Sequence, residues 1–156
     1  DRDNPGLIDK FGGHAMAAGL ALSPESFERF SNAFSEAIKK HLEGKKPIIE
    51  LMTDGKLEAS EITLKNAELL RSASPWGQGF EEPIFYGDFE IIEQKIVGEK
   101  HLKCTLKLNG ASSIFEGIAF FQGKLDTKQV KVAYKLNVNS FRGNESLQLI
   151  IESIVN

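Results

Sequence analysis

The chain has 156 residues, 41% of them apolar and 26% charged, and its formal net charge is −3. A chain of this size buries a core without covalent staples, and its single cysteine, Cys104, excludes an internal disulfide. No stretch is apolar enough over a sufficient length to cross a membrane, and no signal peptide is seen. A lone cysteine without metal-ligand spacing indicates a reducing compartment, and the cytoplasm is the expected location. We expect Cys104 to be a small buried or half-buried residue.

The first third of the chain predicts a small α/β unit. Residues 5–11 have the apolar spacing of a short helix, which Gly12 and Gly13 would end in a left-handed turn. Residues 15–22 are small and apolar, which predicts a buried strand or another tightly packed segment. Apolar side chains then recur at steps of three and four over 24–43, which predicts an amphipathic helix with an aromatic stripe that faces the core.

The remainder reads mainly as strands. A linker at 44–47 is followed by an expected strand at 48–52, a helix at about 60–72 and a turn-rich loop at 73–83. Five further strands are predicted at 85–97, 102–108, 114–121, 130–138 and 147–154. Short strands with hairpin turns between them, such as Asn109-Gly110, indicate a small barrel or sandwich.

Gly12, Gly13 and His14 form the first candidate site. Consecutive glycines let a backbone approach a ligand closely and turn its N–H groups toward an anion such as phosphate. His14 adds a donor whose charge changes near neutral pH. A purely structural turn with a satisfied histidine explains the same residues, so the pattern alone leaves both readings open.

A second candidate site is a locally basic region on an acidic chain. Residues 95–145 hold nine Lys or Arg against four Asp or Glu, while the remainder holds ten against eighteen. In the alternating strand 102–108, Lys103 and Lys107 share a face with Thr105, opposite the apolar row. A solvated sheet face is the alternative. The candidate contacts to a nucleic-acid backbone are Lys100, Lys103, Lys107, Lys131, Lys135 and Arg142.

Three aromatic residues are candidates for stacking on a base. In a strand, Phe120 and Phe121 would face opposite sides, so that one is core and the other is free to stack. Trp76, between Pro75 and Gly77, stacks on a base or plugs the seam between the two parts of the chain; close packing of the loop favours the plug.

Several segments carry a family resemblance. Residues 10–19, Lys-Phe-Gly-Gly-His-Ala-Met-Ala-Ala-Gly, resemble the signature of the DHHA1 domain of the DHH phosphoesterases. The loop 75–83 and the segments 97–103 and 139–149 resemble the RecJ family of bacterial single-stranded-DNA-specific exonucleases. The resemblance implies an α+β fold with part of a DHHA1 domain at 1–46. It also implies a predominantly antiparallel β-barrel of the oligonucleotide-binding (OB) type at 47–156.

The resemblance also implies a function. Such enzymes degrade single-stranded DNA from the 5′ end in repair and recombination, with a divalent metal, Mg or Mn, held by Asp and His clusters that include Asp-His-His. That motif does not occur here, and His14, His41 and His101 have no ligand spacing. We therefore expect a C-terminal fragment of a longer enzyme, inactive alone and without its own metal, that binds single-stranded DNA while His14 helps to seat a phosphate.

Two alternatives remain. The barrel could be an interaction module for a partner such as a single-strand-binding protein. The chain could also belong to another DHH phosphoesterase that acts on short oligonucleotides, although the strand pattern after residue 85 disfavours this reading.

Overall fold

The computed structural model describes residues 3–43, 45 and 50–155. The chain divides into two compact units, residues 1–50 and 51–156. Most of the predicted linker and the first half of the strand predicted at 48–52 lie outside the described residues. Its second half is described, and residues 50–52 have no regular secondary structure.

The first unit contains an antiparallel hairpin of β1 (Lys10–His14) and β2 (Ala17–Ala21). The short helix predicted over 5–11 is therefore wrong, since its last residues pair with β2. Gly12 and Gly13 lie inside β1, and neither has the positive φ of a left-handed turn. The strand predicted after them exists as β2, but all its residues are exposed rather than buried.

The helix predicted over 24–43 is confirmed. It begins with a 3-10 turn at Pro24–Ser26 and continues as α1 (Phe27–Leu42). No residue of α1 is buried, and the side chains of Phe27 and Phe34 are 64% and 54% exposed. The expectation that the aromatic stripe faces a core is therefore wrong for the described unit.

The second unit begins with irregular chain that leads into α2 (Leu64–Ala73). Thr63 caps this helix, because its Oγ1 accepts a hydrogen bond from the Asn66 N–H at 3.2 Å. The helix predicted at about 60–72 is thus confirmed, with its first helical residue at Leu64. In the described part of the chain, neither helix has the length and apolar character needed to cross a membrane.

Five strands follow and close into a barrel. They are β3 (Phe85–Val97), β4 (His101–Leu108), β5 (Ile114–Ala119), β6 (Gln129–Phe141) and β7 (Asn144–Val155). The order around the barrel is β3-β4-β5-β7-β6, and only the β5–β7 pair is parallel. The predicted α+β class with a predominantly antiparallel barrel is confirmed, and each of the five strands predicted from residue 85 onward is found.

Buried and outward-facing residues alternate along the strands of the second unit, and the buried ones form its core. In β4, Leu102, Cys104 and Leu106 are buried, while the residues between them lie on the outer face. Ile62 and Ala67 join the same core, which places α2 against the barrel. Cys104 is buried as predicted, and burial raises the pKa of its thiol to about 11, so the thiolate is scarce at neutral pH.

Candidate nucleic-acid interface

Phe120 and Phe121 form a turn directly after β5. The strand ends at Ala119, so the expectation that these two side chains face opposite sides of a strand is wrong. Both are exposed, Phe120 by 52% and Phe121 by 74%. Phe121 also has a φ of 56°, in the left-handed region that large L-residues rarely adopt.

His101, the first residue of β4, holds this turn. Its ring meets the Phe120 and Phe121 rings edge to face, with centroids 5.2 and 5.0 Å away. Its Nδ1 accepts a hydrogen bond from the Phe121 backbone N–H at 3.1 Å. The strand register explains the contact: Leu102 pairs with Ala119, so His101 stands beside the residue that follows β5.

Lys100 completes a cluster that we call the aromatic knuckle: Lys100, His101, Phe120 and Phe121. Its Nζ lies 4.9 Å from the centroid of the Phe121 ring, within the range of a cation–π contact. Sequence reasoning named three of these residues as separate candidates and missed the role of His101. About twenty positions separate the two halves of the knuckle, so no local spacing signals it.

Lys103 and Lys107 lie on the outer face of β4, as the alternation predicts. Lys103 is ion-paired, since its Nζ lies 2.8 Å from Oε2 of Glu116. Hydrogen bonding to Lys103, with a smaller contribution from the Thr105 hydroxyl, lowers the pKa of Glu116. Lys107 forms no ion pair with any described residue, so its charge is the more available of the two.

Of the two candidate lysines of β6, one is ion-paired and the other has no ion pair among the described residues. Lys135 lies between two carboxylates, 3.6 Å from Oε2 of Glu82 and 3.4 Å from Oε1 of Glu152. Lys131 is exposed and stands opposite Asp88 of β3 without an ion pair among the described residues. Lys131 is therefore better suited to contact an added anion.

Arg142 lies in the two-residue turn between β6 and β7. It has a φ of 51° and the following Gly143 has 81°, so both turn residues have the positive φ of a type I′ hairpin. Ile151, which pairs with Ala119 at the end of β5, lies eight residues beyond Gly143. At about 3.3 Å per residue this is about 26 Å along the strand, so the structure separates Arg142 from the aromatic knuckle.

Trp76 ties its loop to the end of α2. The indole Nε1 donates a hydrogen bond to the Leu70 carbonyl at 2.8 Å, and the ring stacks on Phe80 with centroids 5.0 Å apart. The side chain is half-buried. These contacts within the second unit are those of a structural anchor.

The backbone around Gly12, Gly13 and His14 is extended. A Cβ on Gly13 would lie 2.6 Å from the Cα of Ala18, so close strand packing accounts for that glycine. His14 Nδ1 accepts from the Met16 N–H at 3.3 Å, within the β1–β2 turn. The groove beside these residues, of about 710 Å³, is lined mainly by apolar side chains.

A metal centre would need several ligating side chains in one place. Within residues 3–43, 45 and 50–155, no three His, Cys, Asp or Glu side chains come together in a way that could hold a metal ion. The described residues therefore do not fit a resident divalent cation.

Comparison with curated proteins finds strong sequence relatives. The single-stranded-DNA-specific exonuclease RecJ of Escherichia coli (strain K12) is 44% identical over 158 aligned residues, covering 96% of this chain and 27% of the relative. The RecJ of Haemophilus influenzae is 41% identical, with 97% and 28% covered. The chain thus spans about a quarter of the length of these relatives.

A solved structure and a family model also match this chain, and both are of RecJ, like the sequence relatives. The crystal structure of RecJ in complex with Mg²⁺ from Thermus thermophilus superposes with a TM-score of 0.55 at 24% identity, covering 96% of this chain and 23% of that one. At this identity the match shows the fold. The model of the RecJ OB domain matches residues 53–153, which include α2 and all but the last residues of the barrel. This chain therefore belongs to the RecJ OB domain family.

Proposed function

We propose that this chain is the single-stranded-DNA-binding part of a RecJ-type 5′-to-3′ exonuclease that acts in DNA repair and recombination. The aromatic knuckle carries the proposal. It places a cation and two exposed rings beside the start of β4 and the end of β5, the second and third strands of the barrel. OB folds bind oligonucleotides through the face of these strands and the adjoining loops, with basic grooves and aromatic stacking surfaces.

The basic side chains around the barrel support the same function unequally. Lys100, Lys107 and Lys131 form no ion pair with a described carboxylate, so we assign the main backbone contacts to them. Lys103 and Lys135 form ion pairs with neighbouring carboxylates, so each contributes less to the binding of a DNA phosphate. Arg142, at the far turn, is a separate contact for a longer strand, where its guanidinium can bind a phosphate in bidentate fashion.

We assign residues 1–46 to part of a DHHA1 domain and residues 47–156 to the OB domain. In the longer enzyme, His14 would donate to a phosphate at the edge of a catalytic site that other parts of the protein provide. The named relatives are exonucleases, and the Thermus thermophilus structures were solved with Mg²⁺ or Mn²⁺. The longer enzyme would use Mg²⁺ or Mn²⁺ for hydrolysis of the phosphodiester bond. The present chain would be inactive by itself.

A second candidate function is a protein-interaction module, for instance for a single-strand-binding protein. The observation that favours it is exposed apolar surface in the first unit, where Phe11 and Phe27 are 67% and 64% exposed. Exposed apolar surface, where it is contiguous, marks sites of protein contact.

Salt-dependent binding separates the two functions. We expect the chain to bind fluorescein-labelled oligo-dT at low salt, with an affinity that falls linearly with salt on a logarithmic plot. Replacing Lys100, Lys107 and Lys131 together by Ala should weaken binding and flatten that slope by about 2, or about 0.7 for each lost contact to a single strand.

The matched control is Lys39→Ala, which removes an exposed lysine of α1 that is paired with Glu36. It should leave both affinity and slope unchanged. Absence of measurable oligo-dT binding at low salt would refute DNA binding by this chain and would favour the interaction module.

A further inference from the structure

We propose that His101 is a positioning residue that shapes Phe120 and Phe121 into a stacking site for an unpaired nucleobase. The inference rests on the proposed function and deepens it, because it names the part of the ligand that is recognised at this end of the barrel. The lysines contact the backbone, whereas the phenylalanine rings of the aromatic knuckle contact a base.

The first support is backbone strain. Phe121 has a φ of 56°, and a bulky residue keeps this conformation only when its surroundings hold it there. One hydrogen bond that holds Phe121 in place is its backbone N–H donating to Nδ1 of His101 at 3.1 Å. The imidazole thus takes the place of a backbone acceptor at the turn. Strained conformations of this kind cluster at active sites and ligand-binding sites, where the surrounding structure holds them in place.

The second support is the arrangement of the rings. His101 packs edge to face against both phenylalanines, with interplanar angles of 78° and 81°. These contacts fix the two rings but leave 52% of Phe120 and 74% of Phe121 in solvent. Adjacent, immobilised and exposed aromatic rings match what a base requires, since every base has a π-face and stacking tolerates any sequence.

The third support is the adjoining charge. Lys100 carries its ammonium 4.9 Å from the centre of the Phe121 ring. A lysine is a flexible point charge with three donors, so it can move from the ring to the phosphate next to a stacked base. A ring and a cation side by side suit a nucleotide better than a purely apolar peptide side chain.

Two substitutions separate the two roles of the imidazole. His101→Asn removes the ring but keeps an acceptor near the position of Nδ1, whereas His101→Phe keeps an aromatic ring and removes the acceptor. The readout is the ratio of affinities for oligo-dT and for an abasic oligonucleotide of equal length at the same salt. This ratio reports base stacking and is insensitive to backbone charge.

For the unaltered chain we expect a ratio of about tenfold or more, as stacking of one base provides. Phe121→Ala and His101→Phe should bring the ratio close to one without changing the salt slope, and His101→Asn should retain most of it. Phe141→Ala is the matched control, because Phe141 is also exposed, by 65%, and also lies beside a cation, Arg142. It should leave the ratio unchanged.

The outcomes are distinct. Equal binding of both oligonucleotides by the unaltered chain overturns the stacking site and leaves the proposed function standing. A ratio that survives His101→Phe overturns the positioning role. Failure to bind either oligonucleotide refutes the proposed function and this inference with it. Far-UV circular dichroism and the thermal midpoint show whether each variant has folded.

Discussion

Nζ of Lys103 lies 2.8 Å from Oε2 of Glu116, so a lysine that faces outward as the strand pattern predicts is already paired with a carboxylate. Lys107, four residues along the same face of β4, has no such partner among the described residues. Two lysines that look equivalent in sequence therefore differ in the charge that they offer to a ligand.

The first prediction concerns Glu116→Gln. Gln has the same shape and keeps an acceptor for Thr105, but it releases Lys103 from its ion pair. We expect tighter binding of oligo-dT and a salt slope steeper by about 0.7, the increment of one additional phosphate contact on a single strand. Fluorescence anisotropy over a salt series measures both quantities.

Single lysine variants provide the comparison. Lys107→Ala should weaken binding more than Lys103→Ala when Glu116 is intact, and the two should become similar once Glu116 is Gln. Equal losses in both backgrounds would show that the ion pair does not limit Lys103.

The second prediction concerns acid stability. Hydrogen bonding to Lys103 holds the pKa of Glu116 below its ordinary value of 4.5. A carboxylate with a lowered folded-state pKa stabilises the fold fully above its unfolded-state pKa and loses this effect as the pH falls through the folded value. The difference in unfolding free energy between the unaltered chain and Glu116→Gln should therefore be constant near neutrality and shrink below about pH 4.5.

Urea unfolding between pH 7 and pH 3 measures this difference. If the difference in unfolding free energy between the two proteins stays constant down to pH 3, the Lys103 contact does not lower the pKa of Glu116.

The third prediction concerns Tyr134, which is fully buried in the barrel. Its hydroxyl has no hydrogen-bond partner among the described residues, and burial raises its pKa to about 12. Removing an unpartnered hydroxyl relieves its desolvation, so Tyr134→Phe should leave stability unchanged or raise it by about 1 kcal/mol.

Tyr134→Ala is the contrasting variant, since it deletes a ring packed against Phe89 at 5.6 Å and should lose about 3–5 kcal/mol. Chemical unfolding followed by circular dichroism checks both. A loss of more than about 1 kcal/mol in Tyr134→Phe would mean that the hydroxyl is satisfied in solution.

The fourth prediction separates the two adjacent glycines of β1. A Cβ at Gly13 would lie 2.6 Å from the Cα of Ala18, whereas a Cβ at Gly12 meets no atom within 4 Å. Gly13→Ala should therefore loosen the hairpin and speed amide exchange along β2, while Gly12→Ala leaves it intact. Hydrogen exchange read residue by residue by NMR checks this, and similar exchange in both variants would argue against close packing at Gly13.

The fifth prediction uses the single tryptophan as its own probe. Trp76 donates to the Leu70 carbonyl at 2.8 Å and stacks on Phe80, so we expect its emission to respond to unfolding but not to saturating oligo-dT. Trp76→Phe should lose about 1 kcal/mol of stability through the missing hydrogen bond and keep its DNA affinity. Strong quenching by oligo-dT, with reduced affinity of the variant, would instead identify Trp76 as a base-stacking residue.

The barrel was accessible from the sequence because its signals are local. Alternation along 102–108 requires only that one face of a strand be buried, and the structure buries Leu102, Cys104 and Leu106 as that pattern predicts. The cap of α2 at Thr63 is likewise a local interaction, because its hydroxyl accepts from a backbone N–H only three residues further along the chain. Patterns that span only a few residues can be interpreted without knowledge of the rest of the fold.

The first unit shows where local signals mislead. The spacing of apolar residues before Gly12 suits a helix, but pairing of Lys10–His14 with Ala17–Ala21 makes the segment a strand. The hairpin partner pairs the backbone groups that face it, which outweighs a weak helical periodicity of one turn.

By itself, the sequence determined the family resemblance, the succession of the barrel strands along the chain and the apolar face of the strand at 102–108. Only the tertiary structure decided which charges are free and which aromatics act together. Glu116 reaches Lys103, and His101 reaches Phe121, only because β4 and β5 pair in one particular register. That register depends on the geometry of the turn at 109–113 and on which face of each strand the closed barrel buries, and the folded structure is needed to fix both.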